Sequence, residues 1–308
     1  MSILINNEIK WAIGLIEADG YIGFNHNGNK KWIVTLKVSL SSYNARAVYR
    51  LKNIIGYGSI SWSKDMVTWK ITSRETMKKW IIPMLEEFNF RGSKYYEMKL
   101  LKEAINVMES SKSKDEKHEI LSKLKVESKK HLYRVSPIMI PEIKDFQTKD
   151  EIIKYNKEKD EVLIELISDK TILEIIDPWW LAGFIEGDGS FKINNRHQTV
   201  FELGQKYNTF IVWLIHRRLK IKSKMKVRKN GEYTMLSTKD GKSITLLMTL
   251  LKGKLLGIKS FEYSIWSRAF RTIKLEKKKK AKDLFQKIRA RKYKKEKYES
   301  PDFFFYKV

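Results

Sequence analysis

The chain has 308 residues, of which 42% are hydrophobic and 32% are charged, so it contains enough apolar residues for a folded core and is not a disordered polycation. Its 62 Lys and Arg residues outnumber its 36 Asp and Glu residues, and the formal net charge of +26 indicates a polyanionic partner, nucleic acid first and an anionic membrane surface second. The absence of cysteine excludes disulfides, zinc ribbons and a cysteine nucleophile.

The predicted elements form two copies of one pattern. Residues 11–24 read WAIGLIEADGYIGF and residues 180–193 read WLAGFIEGDGSFKI; each has an apolar helix, a Glu, an Asp-Gly pair and an alternating strand. In the first copy we predict strands from after Asp19 to about Asn25 and over 31–40, a helix over 43–54, a hairpin within 58–72, and helices over 74–87 and 94–109. In the second copy we predict strands over 189–194 and 199–205, a helix over 208–219, a hairpin within 222–238 around Asn230-Gly231, and helices over 240–252 and 259–274.

This pattern predicts an α+β fold with two αββαββα half-domains, each containing four antiparallel strands, at residues 1–109 and 178–275. Residues 110–177 read as a charged, largely helical connector, and residues 276–308 as a basic helix and tail.

The first helix of each copy carries small residues four positions apart. Gly14 and Ala18 lie on one helix face, as do Gly183 and Gly187, so we expect these helices to pack closely about a pseudo-twofold axis. Asp177 and Pro178 are typical of the start of the second helix. Gly20 and Gly189 are expected to end the two helices at the C′ position.

Asp19 and Asp188 fall at the C-terminal ends of these helices, where the helix dipole disfavours a carboxylate by about 0.3–1 kcal/mol. Helices packed with their C-termini together also bring the two carboxylates into repulsion, which a neighbouring cation relieves. Oxygen ligands without cysteine favour Mg²⁺. Two carboxylates that hold divalent ions against a polyanion suit metal-assisted phosphodiester hydrolysis. Glu17 and Glu186, inside the helix ends, are expected to be structural.

Strand alternation predicts which side chains face away from the core. Trp32, Val34, Leu36 and Val38 are expected to point inward, as are Met225 and Val227. The outward positions carry residues suited to base-edge and phosphate contacts. The predicted DNA-binding residues are Tyr21, Asn25, Lys31, Thr35, Lys37, Ser61, Ser63, Thr68 and Lys70 in the first copy, and Ser190, Lys192, Asn194, Lys224, Lys226, Arg228 and Tyr233 in the second. The two sets differ in composition, so we expect an asymmetric target. The basic segments 277–280 and 289–297 are expected to touch phosphates or solvent.

The segments Trp11–Gly20 and Trp180–Gly189 resemble the paired motifs of the LAGLIDADG homing endonucleases of the single-chain, two-motif type. The resemblance covers residues 8–109 and 177–274. It implies a monomer with an internal pseudo-twofold axis, in which two αββαββα halves form a saddle whose sheets lie in the major groove of double-stranded DNA.

The resemblance also implies roles for particular residues. Asp19 and Asp188 would coordinate the catalytic divalent ions, with the carbonyl oxygens of Ala18 and Gly187 as further ligands. Gln205 matches a polar active-site residue late in the second strand, whereas its counterpart by offset is Leu40. Lys94 and Lys259 match a basic active-site residue near the start of the last helix, which would stabilise transition-state charge or position water.

Three functions fit these observations. The leading interpretation is a site-specific, Mg²⁺-dependent DNA endonuclease encoded in a mobile intron or similar element. The alternatives are an intron RNA maturase of the same fold and a DNA-binding regulator that does not cleave. Acids in both motifs favour cleavage over the regulator and leave the maturase open.

The composition bears on location and cofactors. Abundant Lys, Ile and Asn suggest an AT-rich genome, such as a mitochondrial one. No apolar stretch approaches the roughly 20 residues of a membrane helix, and the N-terminus is typical neither of a signal peptide nor of a transit peptide, so we expect a soluble protein without a membrane partner. The sequence has no Gly-rich phosphate loop, so we expect no nucleotide cofactor.

Overall fold

The structure is a computed structural model that describes residues 3–128, 136, 167–228 and 232–290. The predicted Asn230-Gly231 turn, most of the predicted connector and the end of the predicted tail lie outside these residues. The division of the chain into half-domains, connector and tail therefore stays a prediction.

The first part of the chain contains six helices and four strands among the described residues. In chain order they are α1 (Ile3–Asp19), β1 (Gly20–His26), β2 (Trp32–Ser41), α2 (Ala45–Ile55), β3 (Ser59–Ser63), β4 (Met66–Ile71), α3 (Arg74–Thr76), α4 (Ile82–Phe88), α5 (Lys94–Glu109) and α6 (Lys114–Glu127). A π-helical segment, Met77–Ile81, joins α3 to α4 without a break.

The second part of the chain has the same order of helices and strands after one short leading helix. Its elements are α7 (Asp169–Ile175), α8 (Pro178–Asp188), β5 (Gly189–Ile193), β6 (Thr199–Lys206), α9 (Thr209–Arg218), β7 (Lys226–Arg228), β8 (Tyr233–Thr238), α10 (Gly241–Leu251), α11 (Lys259–Arg271) and α12 (Leu275–Ala290). No helix within the described ranges is both long enough and apolar enough to cross a membrane.

Both parts build a four-stranded antiparallel sheet with the same strand order, β1-β2-β4-β3 and β5-β6-β8-β7. This confirms the predicted α+β fold. The pairings also show which residues correspond in the two sheets, because Gly20 lies opposite Val38 and Gly189 lies opposite Leu203. Two residues further along, Leu40 and Gln205 therefore occupy equivalent positions.

Helices α1 and α8 pack directly against each other, backbone to backbone. A Cβ atom on Gly14 would lie 2.1 Å from the carbonyl oxygen of Trp180, and one on Gly183 would lie 1.9 Å from the carbonyl oxygen of Trp11. Neither position has room for a methyl group, which explains the small residues. As predicted, Asp177 is the N-cap of α8 and Pro178 its first residue; the Asp177 side chain accepts hydrogen bonds from the backbone N–H groups of Trp179 and Trp180 at 2.8 and 3.2 Å.

The two helices end where expected, but not in the expected conformation. Gly189 has φ −77° and ψ 152°, so it is an extended strand residue and not a left-handed C′ cap; Gly20 is likewise the first residue of β1. Glycine is needed for a different reason. A Cβ on Gly20 would lie 2.3 Å from the carbonyl oxygen of Ile16, and one on Gly189 would lie 2.9 Å from that of Ile185. Each chain thus passes from helix to strand directly after its aspartate.

The inward faces of the strands form the core except in the edge strands β3 and β7, where Trp62 and Val227 are exposed. Val34, Leu36 and Val38 are fully buried, as predicted. Val227 is on the predicted side of the sheet but is 47% exposed, so the expectation that it is part of the core was wrong. It lies opposite the buried Thr234, but it is in the three-residue edge strand β7, which has a neighbour on one side only.

Candidate functional site

The two motif aspartates lie next to each other where α1 and α8 end. A Cβ atom on Gly187 would lie 2.5 Å from Cβ of Ala18 and 2.6 Å from Oδ2 of Asp19. The carboxylate of Asp19 therefore rests against the backbone residue that precedes Asp188. Glycine at position 187 makes this approach possible, and it brings one carboxylate from each repeat into a single site.

Asp19 is exposed and Asp188 is half-buried, but the protein around them partly desolvates both carboxylates and raises their pKa values, because desolvation disfavours the charged form. The negative charge of Asp19 raises the pKa of Asp188 further, while the ammonium of Lys259 and, more weakly, that of Lys94 lower both values. Two adjacent carboxylates with raised pKa values are costly to ionise together. A bound dication would reduce that cost.

Gln205 belongs to the same site, since its side-chain amide donates to Oδ2 of Asp188 and to the carbonyl oxygen of Ala18, the latter at 3.3 Å. It is 7% exposed and connects the two repeats. Leu40, which is 5% exposed, occupies the equivalent place in the first sheet. Asp188 therefore has a side-chain amide donor from the second sheet, whereas the equivalent position of the first sheet carries the apolar Leu40.

The two lysines that the resemblance singled out have unequal environments. Lys259 is 7% exposed, and its ammonium donates to the carbonyl oxygens of Ile185 and Gly187 at 2.7 and 2.9 Å. Burial lowers its pKa, against the attraction of Glu186, Asp188, Asp19 and Glu262. Lys94 is half-buried at the start of α5, near enough for its charge to act on both aspartates.

Glu17 and Glu186 both tie a motif helix to the loop before the last helix of its own repeat. Glu17 accepts from the backbone N–H groups of Arg91 and Gly92, both at 2.6 Å, and from Nε1 of Trp180 at 3.1 Å. Glu186 accepts from the N–H of Gly257 at 2.6 Å through one oxygen. These contacts agree with the structural role expected for both glutamates.

The second glutamate is less completely satisfied than the first. Oε2 of Glu186 is buried without a hydrogen-bond partner, and burial raises its pKa to about 7 despite the nearby Lys259. Glu17 faces the buried guanidinium of Arg91, whose own pKa is lowered to about 10 by burial. That guanidinium lies 4.7 Å from the ring of Trp180 and donates to the carbonyl oxygens of Asn89 and Ile175 at 2.8 and 3.2 Å.

The oxygen atoms gathered here fit a hard divalent cation. They are the carboxylates of Asp19 and Asp188 and the carbonyl oxygens of Ala18 and Gly187, which now accept from Gln205 and Lys259. Oxygen donors of this kind suit Mg²⁺ or Ca²⁺ and not a soft metal. The described residues contain no cluster of three or more His, Asp or Glu side chains, so a metal site here would rest on two carboxylates and backbone oxygens.

The predicted DNA-binding residues that lie in the strands of the first sheet fall on one face, opposite the core, and Lys31 immediately precedes β2. Cross-strand pairing places Tyr21 beside Lys37 and Lys37 beside Lys70, while Thr68 lies beside Ser61. The exposed members of the set are Asn25, Lys31, Ser61, Ser63 and Lys70. Thr35 is on the same face but is only 7% exposed, which removes it as an accessible contact in this structure.

The second sheet has a corresponding outward row. Tyr233 lies beside Arg228, as the predicted turn required, and Lys192 lies two residues from Ser190 on the same side of β5. Lys192, Lys224, Lys226 and Arg228 are exposed, whereas Ser190, Asn194 and Tyr233 are half-buried. Asn194 follows the end of β5, where its side chain accepts from the backbone N–H of Gln198 at 2.9 Å.

Sequence reasoning missed several residues on these faces. Ser39 shares a 2.8 Å hydrogen bond with Thr68, and Glu202 forms an ion pair with Lys192. Both sit at outward positions of predicted strands, so alternation was sufficient to find them. No comparable sequence pattern predicted the contacts of α6 and α12, because these contacts join segments that are far apart in the sequence.

The sequence matches the LAGLIDADG endonuclease family over residues 12–105 and 181–270, more than half of the chain. The chain therefore belongs to the LAGLIDADG endonuclease family. It is 28% identical over 297 residues to the probable intron-encoded endonuclease Cox1-I1b of Schizosaccharomyces pombe, covering 91% of this chain and 68% of that protein. It is 24% identical over 230 residues to the probable intron-encoded endonuclease aI3 of Dictyostelium discoideum, covering 73% and 81%.

Solved structures share the fold. The LAGLIDADG homing endonuclease I-GzeII in complex with its DNA target matches with a TM-score of 0.62 at 18% identity, over 95% of this chain and 99% of that one. The I-SmaMI LAGLIDADG homing endonuclease bound to cleaved DNA matches with a TM-score of 0.59 at 20% identity, over 92% and 95%. At these identities the matches support the architecture of two paired sheets.

Proposed function

We propose that this chain is a site-specific DNA endonuclease that acts as a monomer, uses divalent metal ions and hydrolyses both strands of a long, asymmetric duplex target. The observation that carries the proposal is the pair of adjacent carboxylates, Asp19 and Asp188, one from each repeat. They lie where the two helices end and both sheets begin. Family membership and the net charge of +26 support a nucleic-acid substrate.

Mg²⁺ is the ion that we propose for the working enzyme, held by Asp19, Asp188 and the carbonyl oxygens of Ala18 and Gly187. Divalent ions at such a site activate water and stabilise the charge of the phosphodiester transition state. The I-SmaMI structure with an uncleaved DNA target in the presence of calcium ions, which has a TM-score of 0.57, is consistent with an oxygen-ligand site in this fold.

Gln205, Lys259 and Lys94 would stabilise charge or fix the orientation of the groups around the reacting phosphate. Gln205 donates to Asp188 and so restricts the orientation of that carboxylate. Lys259 and Lys94 place positive charge beside the aspartates, where negative charge on a reacting phosphate would accumulate. Because Gln205 is matched by Leu40 in the other repeat, we propose that the two strands are cut at different rates.

The outward rows of the two sheets would lie in the major groove and read the target. In the second sheet they expose Lys224, Lys226 and Arg228, whereas serine and threonine contribute more to the first sheet. Arginine and lysine contact guanine and phosphate, while hydroxyl side chains accept or donate to either base type. Such unlike faces would read unlike half-sites.

Intron RNA is a second candidate partner, as in a maturase. It is favoured by the exposed lysines of α12, Lys277, Lys279 and Lys280, and by the intron-encoded relatives. These relatives also lead us to propose an organellar, mitochondrial origin for the gene. A regulator that binds DNA without cleaving it would have no need of two adjacent carboxylates.

A cleavage selection on a randomised duplex library tests the proposal, run in parallel with Mg²⁺, Ca²⁺ or EDTA. We expect one long asymmetric sequence to be cut with Mg²⁺ and not with EDTA. Selective binding without cleavage in Mg²⁺ would contradict the enzyme and favour the regulator. A protein that selects no duplex but binds a folded intron RNA tightly would favour the maturase.

A further inference from the structure

Each repeat is followed by a helix that reaches the strand after the motif aspartate. Helix α6 follows α5 and contacts the β1–β2 hairpin, where Trp32 donates to Nδ1 of His118 at 3.2 Å. Helix α12 follows α11 and contacts the β5–β6 hairpin, where Lys282 donates to Asn195 at 3.1 Å. The internal repeat therefore includes one additional helix in each copy, α6 in the first and α12 in the second.

Each of these helices sends one basic side chain to the same place in its sheet. Lys125 of α6 donates to the hydroxyl of Tyr21 at 3.2 Å, and Arg289 of α12 lies 3.4 Å from the hydroxyl of Ser190. Tyr21 is two residues after Asp19, and Ser190 is two residues after Asp188. Both contacts therefore fall on the outward face of an edge strand, next to the paired carboxylates.

In the first sheet this contact forms a closed group of three side chains. Lys125 also donates to Oδ1 of Asn25 at 3.1 Å, and the hydroxyl of Tyr21 donates to the same oxygen at 2.9 Å. Oδ1 of Asn25 thus accepts two hydrogen bonds, which occupies both of its lone pairs. The exposed amide of Asn25 therefore presents only N–H donors to a ligand.

Lys125 is the member that fixes this arrangement. A tyrosine hydroxyl both donates and accepts, so Tyr21 alone is compatible with either orientation of the Asn25 amide. An ammonium only donates, so the atom facing Lys125 has to be the amide oxygen. Without Lys125 the amide can turn over, donate to the hydroxyl of Tyr21 and expose its oxygen.

We propose that Lys125 is a specificity-determining positioning residue, which makes Asn25 a donor-only reader of one base pair in the target half bound by the first sheet. An asparagine recognises adenine by accepting from N6 and donating to N7, which requires a free oxygen. Guanine presents two acceptors, N7 and O6, and matches an amide that only donates. The wild-type protein should therefore prefer guanine over adenine at this base pair. This inference rests on the proposed DNA-binding function.

The test compares target profiles of variants on the duplex library. The base pair concerned is the one whose preference disappears in Asn25→Ala. We expect wild type to prefer guanine there by about tenfold, and Lys125→Met to bring guanine and adenine within about threefold, with no change in the second half-site. Lys125→Arg, which also only donates, should retain the preference. Lys123→Met is the matched control, since Lys123 is exposed on the same helix and pairs with Glu119.

A preference for guanine that survives in Lys125→Met, or is lost in Lys125→Arg, would overturn the proposal. So would an equal loss of preference at every position of the target.

Nuclear Overhauser contacts of the Asn25 side-chain amide give a second readout that needs no DNA. The contacts between its Nδ2 protons and the ring edge of Tyr21 should be stronger in Lys125→Met than in wild type. If the wild-type protein selects no duplex, the proposed function fails, while identical amide contacts in both proteins would show that Lys125 does not fix the amide.

Discussion

The ammonium of Lys259 lies 2.9 Å from the carbonyl oxygen of Gly187, the residue immediately before Asp188. It also reaches the carbonyl oxygen of Ile185, so it neutralises the negative end of the α8 dipole at the point where the two carboxylates meet. The charge of Lys259 lowers the pKa of both aspartates more than that of Lys94 does. The two lysines are therefore unequal partners of one site.

We predict that Lys259→Met slows cleavage by about 10- to 100-fold and that Lys94→Met has a smaller effect. Without the Lys259 ammonium the pKa values of the aspartates rise further, because an attraction that favours their ionised form is lost. The acid limb of the pH–rate profile should then move to higher pH. Profiles of the two variants measured at saturating Mg²⁺ check this. An acid limb that moves equally, or only in Lys94→Met, contradicts the assignment.

The glycines between the motif helices make a stability prediction. Gly14→Ala and Gly183→Ala should each lower the free energy of unfolding by more than about 3 kcal/mol, because a methyl group would meet a backbone carbonyl that cannot move aside. Gly241→Ala is the matched control, also at a helical position, where a Cβ atom meets nothing within 4 Å. It should be neutral or slightly stabilising. Denaturant unfolding of the three variants checks this, and equal stabilities contradict the close packing of α1 and α8.

The two buried glutamates should respond in opposite ways to replacement by glutamine. In Glu17→Gln an N–H group faces another donor whichever way the amide turns, so the variant should lose about 1–3 kcal/mol of stability. In Glu186→Gln the contact to Gly257 survives, and the orphaned Oε2 is replaced by a group without charge.

The pKa of Glu186 in the wild-type protein determines how the effect of Glu186→Gln on stability depends on pH. The folded carboxyl has a pKa of about 7 against 4.5 in an ordinary environment, so the folded state binds its proton more tightly than the unfolded state. Wild type therefore loses stability from this group as pH rises from about 4.5 to about 7. The variant should gain up to about 3 kcal/mol relative to wild type over that interval. A stability difference between the variant and wild type that stays constant with pH would show that burial does not raise the pKa of Glu186.

The unequal pair of Gln205 and Leu40 predicts a nicked intermediate. Gln205→Leu removes the donor to Asp188 and should slow cutting of one strand by about tenfold, leaving the other strand nearly unchanged. A duplex labelled on both strands should show that wild type accumulates nicked product and that the variant, whose two strands are cut at more similar rates, accumulates less. Leu40→Met, which keeps an apolar side chain of similar size, should cut both strands at the wild-type rates. Equal slowing of both strands by Gln205→Leu would mean that the amide serves both aspartates alike.

Most of the fold could be predicted because it depends on short-range patterns of residues along the sequence. Helix α5 has the predicted limits, 94–109, and Arg228 pairs with Tyr233 as expected. The glycine spacing correctly predicted that α1 and α8 pack together. The π-helical segment Met77–Ile81 was missed because its apolar period resembles that of an α-helix.

The parts that could not be predicted depend on contacts between distant residues. Glu17 and Glu186 have the same place in the motif, yet one faces Arg91 and Trp180 while the other keeps an unpartnered oxygen. The burial of Thr35 was not predicted either, and the contact of Lys125 with Asn25 joins residues 100 positions apart in the sequence. Alternation assigns a side chain to a face of the sheet, but it does not say what covers that face.

The central claim is that Asp19 and Asp188 together hold the metal ions that cut both strands. The most direct test measures cleavage in Mg²⁺ and binding in Ca²⁺ for Asp19→Asn and Asp188→Asn, on a target recovered from the library selection. The carboxamide keeps the shape of the side chain and removes the charge that a divalent ion needs. We predict that each variant binds the target within about threefold of wild type and makes no double-strand break. Double-strand cleavage at the wild-type rate by either variant would contradict the account.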